Sequence, residues 1–166
     1  MAALLWIALL CPLASFAVLI FARGIPRSFA PLVAGGFSFL AMCANGVMIF
    51  LYAGRITPAD TLIFEIPWIR AASLPVERFF GLPPAPLQDI WVGFLMDPKN
   101  LTMLTLVTVI GFLVQTFSAF YMAEEHDRRR YFAFLSLFTF SMTGLVISSN
   151  LLQLFMFWEL VGLASY

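Results

Sequence analysis

The sequence predicts an all-α, polytopic transmembrane bundle of about five spans with one long extramembrane loop. Two observations carry that prediction. The first is composition: of 166 residues, 62% are hydrophobic and 11% charged, against roughly 45–50% apolar and about 25% charged in a typical soluble domain. Mean hydropathy is +0.96. A chain this apolar has too little polar surface to cover a core in water, so a bilayer is the solvent that fits. The second is the spacing of the charges. Met1–Ala22, Ser28–Gly54, Asn100–Ala123 and Tyr131–Trp158 contain no charged residue, and about 20 apolar residues span a membrane as a helix.

The first helix is read over Met1–Ala22. No basic residue precedes its apolar run, and Arg23 follows it. A secretory signal has the opposite order, so this helix is read as a retained one. The second follows over Ser28–Gly54, and residues 1–54 form the first unit. Residues 55–97 form the extramembrane loop. Between Arg55 and Lys99 stand Pro58, Pro67, Pro75, Pro83, Pro84, Pro86 and Pro98, a density that excludes a continuous helix. Within the loop, Thr61–Ile66 and Asp89–Met96 read as two strands of a surface hairpin; the plainer reading is an ordered extramembrane loop that packs on a neighbour. Residues 98–166 form the last unit. It opens with a third helix over Asn100–Ala123 and continues in an apolar stretch of about 36 residues from Tyr131 to Tyr166. That is too long for one span and suits two short ones. Ser148-Ser149-Asn150 is the break, because these side chains compete for backbone hydrogen bonds. The fourth helix covers about Tyr131–Ile147 and the fifth starts near Asn150. The run from Leu160 to Tyr166 has no cap, charge or stop signal, so the natural protein is expected to continue beyond it.

Arg23 and Arg27 fall in the first loop and Arg128, Arg129 and Arg130 in the third. Alternating helices put both loops on one side. The positive-inside rule makes that side the cytoplasm and leaves the N-terminus outside. Arg55, Arg70, Arg78 and Lys99 spread over the long second loop dilute this bias. Net charge is zero, which gives no basic face for nucleic acid. The two cysteines, Cys11 and Cys43, sit in apolar runs without metal-ligand spacing and read as small packing residues. No Gly-rich phosphate loop, haem ligand pair or iron–sulfur cysteine set is present. The chain is therefore expected to hold no cofactor and no metal of its own.

Eight of the nine acidic residues lie in loops or at their edges: Asp60, Glu65, Glu77, Asp89, Asp97, Glu124, Glu125 and Asp127. The ninth, Glu159, lies inside an apolar helix. Nine residues from Asn150, at about 1.5 Å each, set it about 13.5 Å along the helix. In a hydrocarbon layer about 30 Å thick, that is near the midplane. Desolvation there favours the neutral carboxyl, and a nearby cation or water favours the charged form. A group balanced between the two exchanges protons, as a relay requires. The competing reading is a structural, protonated Glu bonded to a backbone carbonyl. Intramembrane carboxylates more often mark ion paths. No Lys or Arg lies at that depth; Lys99 is at the outer mouth of the third helix. The counter-cation is expected after Tyr166 or in another subunit.

Weaker candidates have plain readings. His126, in Glu124-Glu125-His126-Asp127-Arg128-Arg129-Arg130, reads as a solvated loop residue, with a proton-collecting surface as the sharper alternative. Gly144 and Gly162 read as close-packing positions. Trp158 reads as a packing or interface residue, and Phe132, Phe134, Phe138 and Phe140 as helix- or lipid-facing bulk.

Two stretches carry a family resemblance: Tyr131-Phe132-Ala133-Phe134-Leu135-Ser136-Leu137-Phe138-Thr139-Phe140-Ser141-Met142 and Asn150-Leu151-Leu152-Gln153-Leu154-Phe155-Met156-Phe157-Trp158-Glu159-Leu160-Val161-Gly162-Leu163-Ala164-Ser165-Tyr166. With Gly93-Phe94-Leu95-Met96-Asp97-Pro98 and Tyr121-Met122 upstream, they resemble the subunit L (chain 5) family of antiporter-like subunits of proton-translocating NADH-quinone oxidoreductase, complex I. The resemblance runs from about Trp91 to Tyr166. It implies a longer chain with two inverted five-helix repeats, of which this is the N-terminal part. It implies that Glu159, in the Trp-Glu pair of the fifth helix, is the acidic partner of a lysine on a later helix. It also implies other membrane subunits as partners. NADH, flavin, iron–sulfur clusters and quinone would be bound in other subunits, so this chain would not be catalytic alone. The expected location is a bacterial plasma membrane. A subunit of a multisubunit sodium/proton antiporter is the nearest alternative, and a structural membrane scaffold or non-functional fragment is the alternative of another class.

Overall fold

A computed structural model describes residues 2–22, 26–52, 62–69, 90–125 and 127–166. Five helices and two strands follow in chain order: α1 (Ala2–Phe21), α2 (Ala30–Tyr52), β1 (Leu62–Ile69), β2 (Ile90–Met96), α3 (Pro98–Tyr121), α4 (Arg128–Ile147) and α5 (Leu151–Ser165). A short 3-10 turn, Arg27–Phe29, leads into α2. The predicted positions of Arg23, Arg55, Arg70, Arg78 and His126 lie outside the described residues.

Helices α1 to α4 form a four-helix bundle in which α1 packs on α2 and α4, and α3 packs on the same two. Each pairing is antiparallel. Asn45 and Phe39 of α2 meet Thr105 and Phe112 of α3. Ser15 and Leu19 of α1 meet Ser136 and Arg129 of α4. Two apolar clusters fill the interior. One joins Leu5, Ala8 and Leu9 to Ala44, Met48, Leu101, Leu104 and Ile147; the other joins Leu19, Ala30 and Ala34 to Phe132 and Ala133. Outside the bundle, large apolar side chains are bare: Phe50 is 83% exposed, Phe120 80% and Leu32 73%. In water such a surface would aggregate; in lipid it is ordinary. All four helices are long and apolar enough to cross a membrane, and α5 is a shorter apolar helix of 15 residues. The chain is an integral, multi-pass membrane protein of all-α class.

Local chemistry sets the ends. Asp97 caps α3, its carboxylate accepting from the Asn100 N–H at 2.6 Å, and Pro98 occupies the first turn, where a missing N–H is harmless. Helix α4 starts at Arg128, three residues before the apolar run that marked it in the sequence. Those early residues are held from outside: the Arg128 guanidinium donates to the Ala119 carbonyl at the end of α3. Arg129 donates to the Leu19 and Ile20 carbonyls at the end of α1. The last carbonyls of a helix have no partner within it and carry its negative dipole end, so a cation is the natural cap.

The predicted hairpin forms. β1 and β2 pair antiparallel, Leu62 opposite Met96 and Glu65 opposite Gly93, with a register change between Pro67 and Ile69. A proline cannot donate to the ladder, so an irregularity beside it is expected. The hairpin is not only a surface feature for a neighbour. Phe94 and Met96 of β2 are 5% and 3% exposed and belong to the first core cluster, and Trp6 of α1 meets Phe94 edge-on at 5.1 Å.

Candidate functional site

Glu159 is positioned by α5, and α5 is positioned by the break that precedes it. At Ser148 the backbone turns extended (φ −61, ψ 132), and the Ser148 hydroxyl donates back to the Gly144 carbonyl at 2.8 Å. Asn150 then caps α5, its side-chain oxygen accepting from the Gln153 N–H at 2.8 Å. β2 locks this junction. The Ser149 N–H donates to the Gly93 carbonyl at 3.2 Å, and the Gly93 N–H donates to Gln153 Oε1 at 3.0 Å. The Asn150 side chain donates to the Trp91 carbonyl. Gly93 is required by this approach: a Cβ there would stand 2.2 Å from Ser149 Oγ.

Below the junction, α5 leans on α4 through one stripe. Gln153 is buried, and Phe157, Leu160 and Ala164 are half-buried, at the spacing of a single helix face. The Phe157 ring sits on Gly144, where an added Cβ would lie 2.2 Å from it, and meets Phe140 edge-on at 5.6 Å. Gly144 is thus a close-packing position, as its sequence context suggested. At 100° per residue, Glu159 points roughly 120° away from Gln153. It is exposed, on the face turned from the bundle. There it shares a groove of about 710 Å³ with Leu151, Leu152, Leu154, Phe155 and Trp158. Among the described residues no hydrogen-bond partner or cation meets its carboxyl. Trp158, 64% exposed, lies on this outer side too. Gly162 has open space around it, so its predicted packing partner is not among the described residues.

The end of α5 meets the charged third loop. Glu125, Asp127 and Arg130 line a cavity of about 750 Å³ together with Tyr131, Leu163 and Tyr166. Leu163 is one turn below Glu159 on a similar face, so the cavity reaches to within a turn of the carboxyl. Lys99 stands in the first turn of α3, at the opposite end of the bundle. The described cations all sit at helix ends. Cys11 and Cys43 are free; Cys43 is exposed on α2.

Several interior groups escaped a sequence reading that counted charges alone. Gln153, which binds β2, is one. Asn45 donates to Thr105 and Thr108 at 3.0 and 3.4 Å, Ser15 and Ser136 pair at 3.0 Å, and Gln115 is fully buried. The available signal was the spacing of Thr105, Thr108, Gln115 and Ser118, which places four polar residues on one face of an otherwise apolar helix.

Residues 86–132 match a family model described as NADH-Ubiquinone oxidoreductase (complex I), chain 5 N-terminus. The chain is 38% identical over 163 residues, 97% of its length, to the chloroplastic NAD(P)H-quinone oxidoreductase subunit 5 of Adiantum capillus-veneris, covering 21% of that protein. It is 36% identical over 154 residues to the subunit 5 of Marchantia polymorpha, with 83% of this chain and 22% of that protein covered. It is 53% identical over 78 residues to that of Physcomitrium patens, covering 47% of this chain and 11% of the relative. The chain thus spans about a fifth of the length of the first of these relatives. On these matches, the chain belongs to the chain 5 family of NADH-ubiquinone oxidoreductase (complex I), within its N-terminal region.

Proposed function

We propose that this chain is part of a membrane subunit of a proton-translocating NAD(P)H-quinone oxidoreductase, in which Glu159 relays protons. The observation that carries the reading is the placement of Glu159: a lone carboxyl inside an apolar helix, on its free face, one turn above a cavity rimmed by Glu125, Asp127 and Arg130. The relatives are named as subunits of an oxidoreductase, which favours this complex over a sodium/proton antiporter or a scaffold. Charge held in hydrocarbon is unfavourable and is kept for function. A proton entering from the charged loop would reach the Glu159 carboxyl along the α5 face, and a cation brought up to that face would favour the ionised carboxylate and so release the proton. The lysine partner belongs to helices that cover the groove.

In this reading the subunit does no redox chemistry. It binds no cofactor, with NAD(P)H, flavin, iron–sulfur clusters and quinone held by other subunits, which are its partners along with the lipid. Its membrane is an energy-coupling one. The bacterial plasma membrane expected from the sequence draws no support from the relatives, which are named chloroplastic. Fractionation of the source cells decides between the two. The functional reading is tested by affinity-tagging the full-length protein and extracting it in mild detergent. It should bring down an assembly that oxidises NAD(P)H with a quinone acceptor. Recovery in an assembly without that activity, one exchanging sodium for protons instead, would sink the assignment.

A further inference from the structure

One layer of the four-helix bundle is polar on all four helices. Ser15 lies six residues before the end of α1, and Gln115 six before the end of α3. Ser38 lies eight residues into α2, and Ser136 eight into α4. Because neighbouring helices are antiparallel, these offsets of about 9 to 12 Å are measured from the same end of the bundle. The four residues therefore share one level. They also face one another across the seams. Ser38 lies seven residues from Asn45, and Gln115 seven from Thr108, the pair that joins α2 to α3. Seven residues is two turns, which keeps both on that seam. All four are buried: Ser15, Gln115 and Ser136 at 0% exposure and Ser38 at 2%.

Half of this layer is satisfied within the protein. Ser136 donates to the Phe132 carbonyl at 2.9 Å and pairs with Ser15 at 3.0 Å, so Ser15 is the donor in that pair. The other half is not. Ser38 Oγ and both amide atoms of Gln115 are buried without a hydrogen-bond partner among the described residues. Ser38 and Gln115 are thus level with each other and on one seam, with no hydrogen bond between them. A Gln amide brings two donors and an acceptor, and a hydroxyl brings one donor and acceptor lone pairs. In a membrane interior, bulk water cannot satisfy them.

We propose that this layer is a binding site for internal water, held between the Gln115 amide and the Ser38 hydroxyl at the α2–α3 seam. Water is the small neutral ligand that can both donate to and accept from such groups, and buried polar groups without a protein partner commonly hold one. No titratable side chain belongs to the layer, so it is separate from Glu159 and does not rest on the proton-relay reading. Its four members all lie on helices of this chain.

The test is a density map of the intact, full-length assembly at a resolution that shows ordered water, with wild type compared with Gln115→Met and Ser38→Ala. Wild type should show a peak within hydrogen-bonding distance of both Gln115 and Ser38. Gln115→Met, which keeps the bulk and removes the amide, should lose it; Ser38→Ala should weaken or lose it. A wild-type map in which Gln115 bonds Ser38 or a backbone carbonyl directly, with no peak between, overturns the proposal. So does a peak that survives Gln115→Met unchanged. If Gln115→Met does not assemble, the wild-type map and Ser38→Ala still decide.

Discussion

Gly144 is where the orientation of Glu159 is most exposed to a single methyl group. A Cβ at this position would lie 2.2, 2.4 and 2.6 Å from three ring carbons of Phe157. Ordinary carbon contacts begin near 3.5 Å, so the ring would have to retreat by about 1.3 Å. It cannot do so freely, because it is held edge-on to Phe140 at 5.6 Å. Inserting a methyl into such a contact costs about 1–3 kcal/mol, and giving up the ring pair adds about 0.5–1.5 kcal/mol. Gly144→Ala should therefore shift or loosen α5 and destabilise the subunit by about 1.5–4.5 kcal/mol. Phe157→Leu should relieve the clash, so the double variant should lose less than the sum of the single ones. The assay is a double-mutant cycle on reversible unfolding of the full-length protein in mixed micelles, with subunit abundance in the membrane as a parallel readout. Strict additivity of the two losses, or an unchanged stability in Gly144→Ala, would refute the packing on which the site geometry depends.

Other predictions follow from the same contacts. Arg129→Ala removes the cap on the α1 carbonyls of Leu19 and Ile20 and should lower stability by about 1.5–3 kcal/mol; Arg129→Lys should recover only part of it, since an ammonium lacks the guanidinium fork. Denaturation midpoints in detergent decide the order of the three. Asn150→Ala removes the cap of α5 and the tie to the Trp91 carbonyl, with an expected loss of about 0.5–2 kcal/mol; faster proteolysis at the α4–α5 junction is its signature. Gly93→Ala forces a Cβ against Ser149 and should lift β2 off the junction at about 1–3 kcal/mol. Hydrogen exchange at Ser149 should accelerate in that variant, and unaltered protection there would show that the strand is not seated as described.

The helices were legible because charge is excluded from hydrocarbon, so uncharged blocks mark spans directly. The start of α5 was legible at Asn150, whose side chain caps a helix in the way its residue type favours. The start of α4 was not: nothing local to Arg128 reveals that carbonyls of Ala119, Leu19 and Ile20 will draw its first turn into a helix. The strands were visible in their alternation, but not the burial of Phe94 and Met96, which depends on α1 and α3 meeting them from elsewhere in the chain. Glu159 stood out as a charge in an apolar run. Its outward aim did not, since that is set by Phe157 lying on Gly144. Gln115, Ser38 and Asn45 passed unnoticed because they are polar without charge, and only their common level in the bundle gives them meaning.

The measurement that bears most directly on the central claim is proton translocation by the intact complex in sealed vesicles, with Glu159→Gln beside wild type and Glu159→Asp, each matched for assembled complex. Gln keeps the shape of Glu159 and cannot ionise. The account predicts that Glu159→Gln loses most translocation, of order 100-fold for a lost proton-transfer group, and that Glu159→Asp retains part of it. Wild-type translocation in Glu159→Gln at equal complex content would contradict the account and make Glu159 a structural residue.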